Sequence, residues 1–229
     1  MLTANDPLPC MPQRVLIAGV TGSGKTTLAR RLAACWEIPH IEIDGLFHGP
    51  GWTARPQFLD DVRAFAAAPR WATEWQYLSK GTLPILTPRA QLAIWLDYPY
   101  HVVRARLLRR TLMRSLLRTR LWNGNREKPA WNLLKRDPEQ NLLRWQSKTL
   151  HAWSERMPRI QAEFPQLPIV RHRAAAQPRR DRALATDAEA LSRLVPTLWH
   201  KAAHPSNADR PGLAAAGLSV ARPHAGRPR

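Results

Sequence analysis

Eight consecutive residues, GVTGSGKT from Gly19 to Thr26, limit what this chain can fold into more than any other feature. They match the spacing G-x-x-x-x-G-K-[S/T], a glycine loop that turns its own main-chain N–H groups onto a phosphate. Such a loop works only between a strand and a helix, so its flanks decide whether the match has meaning. Before it, Val15, Leu16, Ile17 and Ala18 form an apolar, partly β-branched run, the pattern of a strand buried on both faces. After it, Leu28, Leu32 and Trp36 recur every fourth residue, Arg30 and Arg31 point elsewhere, and Pro39 closes the pattern. Strand, loop and amphipathic helix stand in the required order.

The loop assigns roles. Gly19, Gly22, Ser23 and Gly24 supply a main chain that can close on an anion, and the helix N-terminus at Lys25 adds unpaired N–H groups and the positive end of its dipole. In this pattern Lys25 reaches the β- and γ-phosphates, the Thr26 hydroxyl ligates Mg²⁺, and Thr27 meets the α-phosphate. The expected cofactors are ATP and Mg²⁺. What receives the phosphoryl group is not written in the loop.

Composition narrows the rest. At 229 residues the chain is one domain with an extension. Its two cysteines, Cys10 and Cys35, stand at no metal or disulfide spacing, which fits a reduced, cytoplasmic protein. No apolar run approaches the roughly 20 residues that span a bilayer, so no membrane partner is expected. The net charge of +18 is unevenly spread: residues 101–148 carry 13 Lys/Arg against 3 Asp/Glu, and residues 171–229 carry 11 against 4. Residues 1–12 read as a disordered lead, 13–195 as the folded domain, and 196–229 as a basic Pro/Ala/Arg-rich disordered tail.

Along the domain, strand and helix patterns alternate. HIEIDGLF (His40–Phe47) reads as a short strand entering a loop, with Glu42 and Asp44 on one face. A helix follows over Arg55–Ala68, then strands at Trp71–Tyr77, with Glu74 near the end, and at Gln91–Pro99, closed by Asp97. A long helix over about His101–Leu121 carries apolar pairs up to Leu116/Leu117 as a buried stripe and Arg106, Arg110, Arg114 and Arg118 as a ridge. Three roles are open to that ridge: a clamp on transferring phosphates, a solvated face, or a polyanion contact. Arg126 and Arg144 belong to the same basic region. A second long helix from about Pro138 to Phe164, a strand at Leu167–Arg171 and a helix at Ala185–Leu194 complete the reading. Alternation of this kind specifies an α/β fold of three layers, α/β/α, around a parallel five-stranded sheet.

With these pieces in order, the chain resembles adenylate-kinase-related P-loop proteins, and more narrowly the bacterial group labelled DNA topology modulation protein or AAA-family ATPase. The narrower likeness lies in Asp44–Trp52, DGLFHGPGW, against that group's D-x-L-x-x-x-P-G-W. Where the group has I-D-G-N-Y, this chain has TEWQY, so Glu74 takes the acidic position and Trp75 replaces a glycine. The segment LWNGNREKPAW is shorter than the lid of a nucleotide kinase. Similarity to shikimate and gluconate kinases implies acceptor contacts from the Asp44 region.

The resemblance and the residues together imply an ATP-dependent phosphotransferase acting on a small metabolite or nucleotide. Lys25 and the loop hold the triphosphate, Thr26 and, through water, Glu74 or Asp97 hold Mg²⁺, and Asp44 orients or deprotonates the acceptor hydroxyl. Arg110, Arg114 or Arg126 neutralises charge developing in transfer. Asp44 as a turn cap and Asp97 as a structural residue before a proline turn stay open beside these roles. The rival is a nucleotide-dependent nucleic-acid binder that uses the basic helix and tail. Sequence fixes no oligomeric state.

Overall fold

A run that is apolar on every residue can only sit inside a sheet covered on both sides, and that is where Val15–Ala18 lie. The computed structural model describes residues 2–3, 11–126, 132, 137 and 141–173. Six strands form one sheet: β1 (Leu2–Thr3), β2 (Arg14–Gly19), β3 (His40–Ile41), β4 (Trp71–Glu74), β5 (Leu92–Asp97) and β6 (Ile169–Arg173). Their order is β1-β6-β5-β2-β4-β3, and every pairing is parallel. β2 therefore has β4 on one side and β5 on the other, and Val15, Leu16, Ile17 and Ala18 are fully buried. Parallel strands need crossovers, and the helices that make them cover both faces.

On one face Leu28, Leu32 and Trp36 of α1 (Lys25–Trp36) pack with Ile17, Ile94 and Val170, joined by Val103 of α5 (Tyr100–Leu116). On the other, Phe58 and Val62 of α3 (Phe58–Ala66) and Trp153, Met157 and Ile160 of α7 (Ala152–Glu163) pack with Leu16, Ala18, Ala93 and Trp95. These are the three layers the alternating pattern specifies. The buried apolar side chains supply the main drive to fold, at about 25 cal/mol per Å² removed from water.

Several elements depart from the sequence reading. Leu2 and Thr3, in the expected disordered lead, pair with Val170 and Arg171 and add a sixth strand. The strand at His40 ends at Ile41, and Asp44 instead lies in a short helix, α2 (Ile43–Phe47), so the alternation that placed Glu42 beside Asp44 does not apply. Between β4 and β5 the proline-punctuated stretch SKGTLPILTP, a loop or broken turn by its sequence, contains the short helix α4 (Leu83–Leu86). The single helix expected from Pro138 is two, α6 (Leu142–Thr149) and α7. Leu150 closes the first by donating to Ser147 O, and His151 opens the second by accepting from Glu155 N. Asn141 caps α6 by accepting from the main-chain N–H groups of Leu143 and Arg144.

The arginine helix is also corrected. Its stripe is buried at Val103, Leu107 and Thr111, but Leu112, Met113, Leu116 and Leu117 are exposed, Leu116 at 76 %. The helix meets the sheet-face core at Val103 and the glycine loop at Val103 and Leu107, while the apolar residues of its last turns stay exposed. The tail 196–229 and the helix expected at Ala185–Leu194 lie outside the described residues. Among the described residues no helix is long and apolar enough to cross a membrane.

Candidate active site

The loop between β2 and α1 is shaped by what has no room for a Cβ. Gly22 has φ +88°, and a Cβ there would lie 2.5 Å from the Val103 carbonyl oxygen and 3.0 Å from Leu107 Cβ. A Cβ on Gly19 would lie 2.5 Å from Ser23 Oγ and 3.0 Å from Leu96 O. Gly24, left-handed at φ 93°, ends the loop as the N-cap of α1 with no side-chain cap, so the first N–H groups of the helix keep their capacity to bind an anion. From α6, Gln146 Nε2 donates to Thr21 O at 2.6 Å and pins the loop from above.

Lys25 is buried, and its Nζ donates to Gly19 O at 2.9 Å and Val20 O at 3.2 Å, folding back over the loop. Burial pulls its pKa down from 10.5 to about 8, against the opposing pull of the Asp44 and Glu74 carboxylates, while Arg110 adds to the lowering. That coupling brings together four residues from α1, α2, the end of β4 and α5.

Glu74 follows from sheet register. β4 pairs with β2 so that Glu74 stands opposite Ile17, two residues before the loop. Its carboxylate meets His40 Nε2 at 3.2 Å and accepts from Ile43 N at 3.4 Å. Burial alone would push its pKa up; the hydrogen bond and charge of His40, with the Thr26 hydroxyl, hold it below the usual carboxylate range. A hydroxyl and an ionised carboxylate side by side are hard oxygen donors of the kind Mg²⁺ accepts. The glycine cradle, the lysine and this oxygen pair fit a magnesium-bound polyphosphate. Among the described residues no group of three or more His, Cys, Asp and Glu could hold a metal alone, and a site that shares its ion with phosphates needs none.

Opposite the loop, α2 carries Asp44. Its Oδ1 accepts from the Tyr77 hydroxyl at 2.6 Å, and that hydroxyl lies 3.1 Å from His48 Nε2. Burial raises the Asp44 pKa above the ordinary carboxylate value, opposed by the Tyr77 hydrogen bond and by Lys25. Burial likewise raises the Tyr77 phenol and lowers the His48 imidazole from their usual values.

The short segment after α5 closes over α2. Trp122 Nε1 donates to Glu42 at 2.6 Å, and the Trp122 ring fills the space beside Gly45, where a Cβ would come within 2.8 Å. Asn123 Nδ2 donates to the carbonyls of Gly45 and His48. Asn125, buried, donates to Gly49 O at 2.8 Å and accepts from Trp52 N at 3.1 Å. Glu42 also binds Arg30, so it serves as a hinge post between α1 and this cover.

The sequence candidates thus separate. Gly19, Gly22, Ser23, Gly24, Lys25, Thr26, Asp44, Glu74 and Arg110 come together. Thr27 is exposed on the first turn of α1, and Arg114 is half-buried one turn past Arg110. Arg126 exposes its guanidinium and offers its carbonyl to Trp52 Nε1 at 3.1 Å. Asp97 Oδ2 is held by Arg171 at 2.8 and 2.5 Å and by Arg173 at 3.2 Å, because register sets Asp97 beside Arg173. Trp75, which stands where the resembled group has a glycine, is fully buried against Trp153. The sequence reading missed His40, His48, Tyr77, Asn125 and Gln146. Tyr77 carried a usable signal, since it stands just past the carboxyl end of a parallel strand, where such sheets place their site residues.

No protein-family model matches the chain, and no curated protein matches it. Solved structures align along most of its length. Shikimate kinase from Bacteroides thetaiotaomicron is similar at 16% identity over 82% of this chain and 99% of that one, with a TM-score of 0.46. A gluconokinase from Sinorhizobium meliloti 1021 is similar at 19% over 84% and 98%, with a TM-score of 0.40. Shikimate kinase from Aquifex aeolicus gives 14% over 82% and 98%, with a TM-score of 0.42. The likeness is one of chain trace at low identity and assigns no activity to this chain.

Proposed function

We propose that this protein is an ATP- and magnesium-dependent phosphotransferase that moves the γ-phosphoryl group to a hydroxyl of a small metabolite or nucleotide. The observation that carries the reading is that Lys25 folds onto the glycine loop while Glu74 binds Ile43 N beside Asp44, with Asp44, Glu74 and Arg110 all near enough for their charges to act on Lys25. A loop that only bound nucleotide would have no need of a second, half-buried carboxylate near its lysine.

Magnesium, when bound, screens the negative charge of the phosphates. The chain's own residues do the rest. The loop amides and Lys25 grip the polyphosphate, and Thr26 with Glu74 would hold the ion. Asp44 orients the acceptor hydroxyl and takes its proton, and its raised pKa suits a base that works near neutrality. Arg110, whose charge is felt at Lys25, would neutralise charge developing on the transferred group, and Arg114 lies one helical turn further on. The Trp122–Asn125 segment covers the acceptor side and limits water, the competing acceptor.

The test is a screen of metabolites and nucleotides for acceptor-stimulated ADP release from Mg·ATP, run beside Asp44→Asn. The reading expects stimulation by a small hydroxylated acceptor and a loss of about 10² to 10⁴ in kcat for the variant. Wild-type turnover in Asp44→Asn would end the base assignment.

The rival, a nucleic-acid-dependent ATPase of the topology modulation type, draws on the exposed Arg109, Arg118 and Arg120 around the end of α5. It expects polyanions to stimulate turnover with a steep salt dependence. Turnover indifferent to DNA and RNA favours the phosphotransferase.

A further inference from the structure

We propose that Tyr77 and His48 are positioning residues for Asp44: His48 fixes the direction of the Tyr77 hydroxyl, and that hydroxyl holds Asp44 Oδ1, leaving Oδ2 for the acceptor. The inference rests on the reading of Asp44 as the group that takes the acceptor's proton.

The argument is one of proton counting. An ionised carboxylate only accepts, and a phenol has a single proton. At 2.6 Å that proton lies between Tyr77 Oη and Asp44 Oδ1. His48 Nε2, 3.1 Å from the same Oη, must then donate its N–H to the phenol oxygen. With Asp44 ionised, the order runs His48 N–H to Tyr77 O–H to Asp44, which calls for the imidazole tautomer protonated on Nε2. Without His48, the hydroxyl could rotate away from the carboxylate.

Packing holds the phenol in place. The Tyr77 ring stacks on Phe47 at 4.2 Å and 25°, and meets Phe58 edge-on at 5.3 Å. Its main chain is left-handed at φ 58°, a conformation that L-residues disfavour. Two bonds maintain it: Lys80 N donates to Tyr77 O at 2.8 Å, and Thr82 Oγ1 donates to Gln76 O at 2.6 Å. A bulky residue held against its backbone preference, with its one polar atom on a half-buried carboxylate, is the pattern of a residue kept for its position.

Tyr77→Phe removes one oxygen and keeps the ring. The first measurement is the ¹³C spectrum of carboxyl-labelled aspartate in nucleotide-free protein, with the Asp44 signal assigned by Asp44→Asn. The signal should move in Tyr77→Phe and in His48→Ala, and return most of the way in His48→Gln, which keeps an N–H donor. A signal unmoved in Tyr77→Phe overturns the proposal. The second measurement is turnover of Mg·ATP with water as acceptor. Tyr77→Phe should lower kcat by up to about a hundredfold at unchanged KM for ATP, and should add nothing to Asp44→Asn. An equal loss in both backgrounds overturns the proposal. Wild-type turnover in Asp44→Asn would instead remove the base reading, and the carbon signal alone then decides the contact.

Discussion

Between Gly19 and Thr26 the chain builds a binding surface from eight neighbours and their main chain. Between Asp44, Tyr77 and Asn125 it builds one from side chains on three segments, with 33 residues separating the first two and 48 the last two. The first surface depends on what is absent, a Cβ at Gly19 and Gly22; the second depends on polar atoms that arrive from elsewhere and meet at 2.6 to 3.2 Å. The difference predicts two kinds of failure. Damage to the loop should be steric and should strike folding and binding together. Damage across from it should be graded, and should separate turnover from nucleotide affinity.

The largest expected effect is steric. Gly22→Ala forces a left-handed residue and sets a Cβ 2.5 Å from a main-chain oxygen of α5. Backbone conformation and crowding together should cost about 2–4 kcal/mol, read by urea denaturation, with Mg·ATP binding lost as well. Retention of both would break the comparison at its first term.

Next in size is Asn125→Ala, which leaves Gly49 O and Trp52 N without their partner in a buried setting. We expect a loss of about 1–3 kcal/mol and faster proteolysis of the Trp122–Arg126 segment, with ATP affinity unchanged. A matching loss of ATP affinity would show that the cover and the loop are one device.

The most gradual effect is a pH dependence. Burial holds Lys25 at about 8, whereas the unfolded chain returns it to its ordinary 10.5. Between those values the unfolded chain carries more proton, so stability should rise with pH through that window, by at most about 1.4 kcal/mol per unit. Below about 8 both states are protonated and this slope vanishes. The measurement is the difference in unfolding free energy between wild type and Lys25→Ala from pH 7 to 10; a flat difference would mean that Lys25 is solvated.

What could be read from the sequence follows the same division. The order strand, glycine loop, helix is local, and the buried run at Val15–Ala18 announces a central parallel strand, so the layers and the loop were legible. Glu74 was legible as a carboxylate near a strand end, but its tie to His40 was not, because it depends on which strands become neighbours. The same holds for Asp97: its place at the end of β5 was legible, but the Arg171 and Arg173 that register sets beside it were not. The exposed Leu112–Leu117 face of α5 misled in another way, since periodicity marks an apolar side without saying what it will meet. Tyr77 and Asn125 act through single atoms on distant partners, and no spacing rule encodes those.

The central claim is that the Gly19–Thr27 main chain and the Lys25 ammonium hold a polyphosphate. Isothermal titration of the full chain with Mg·ATP, beside Lys25→Ala, tests it most directly. The account predicts saturable binding by wild type and a loss of at least about tenfold in the variant, the worth of a charged hydrogen bond. Equal affinities in the two proteins, or no heat from wild type at millimolar Mg·ATP, would contradict it.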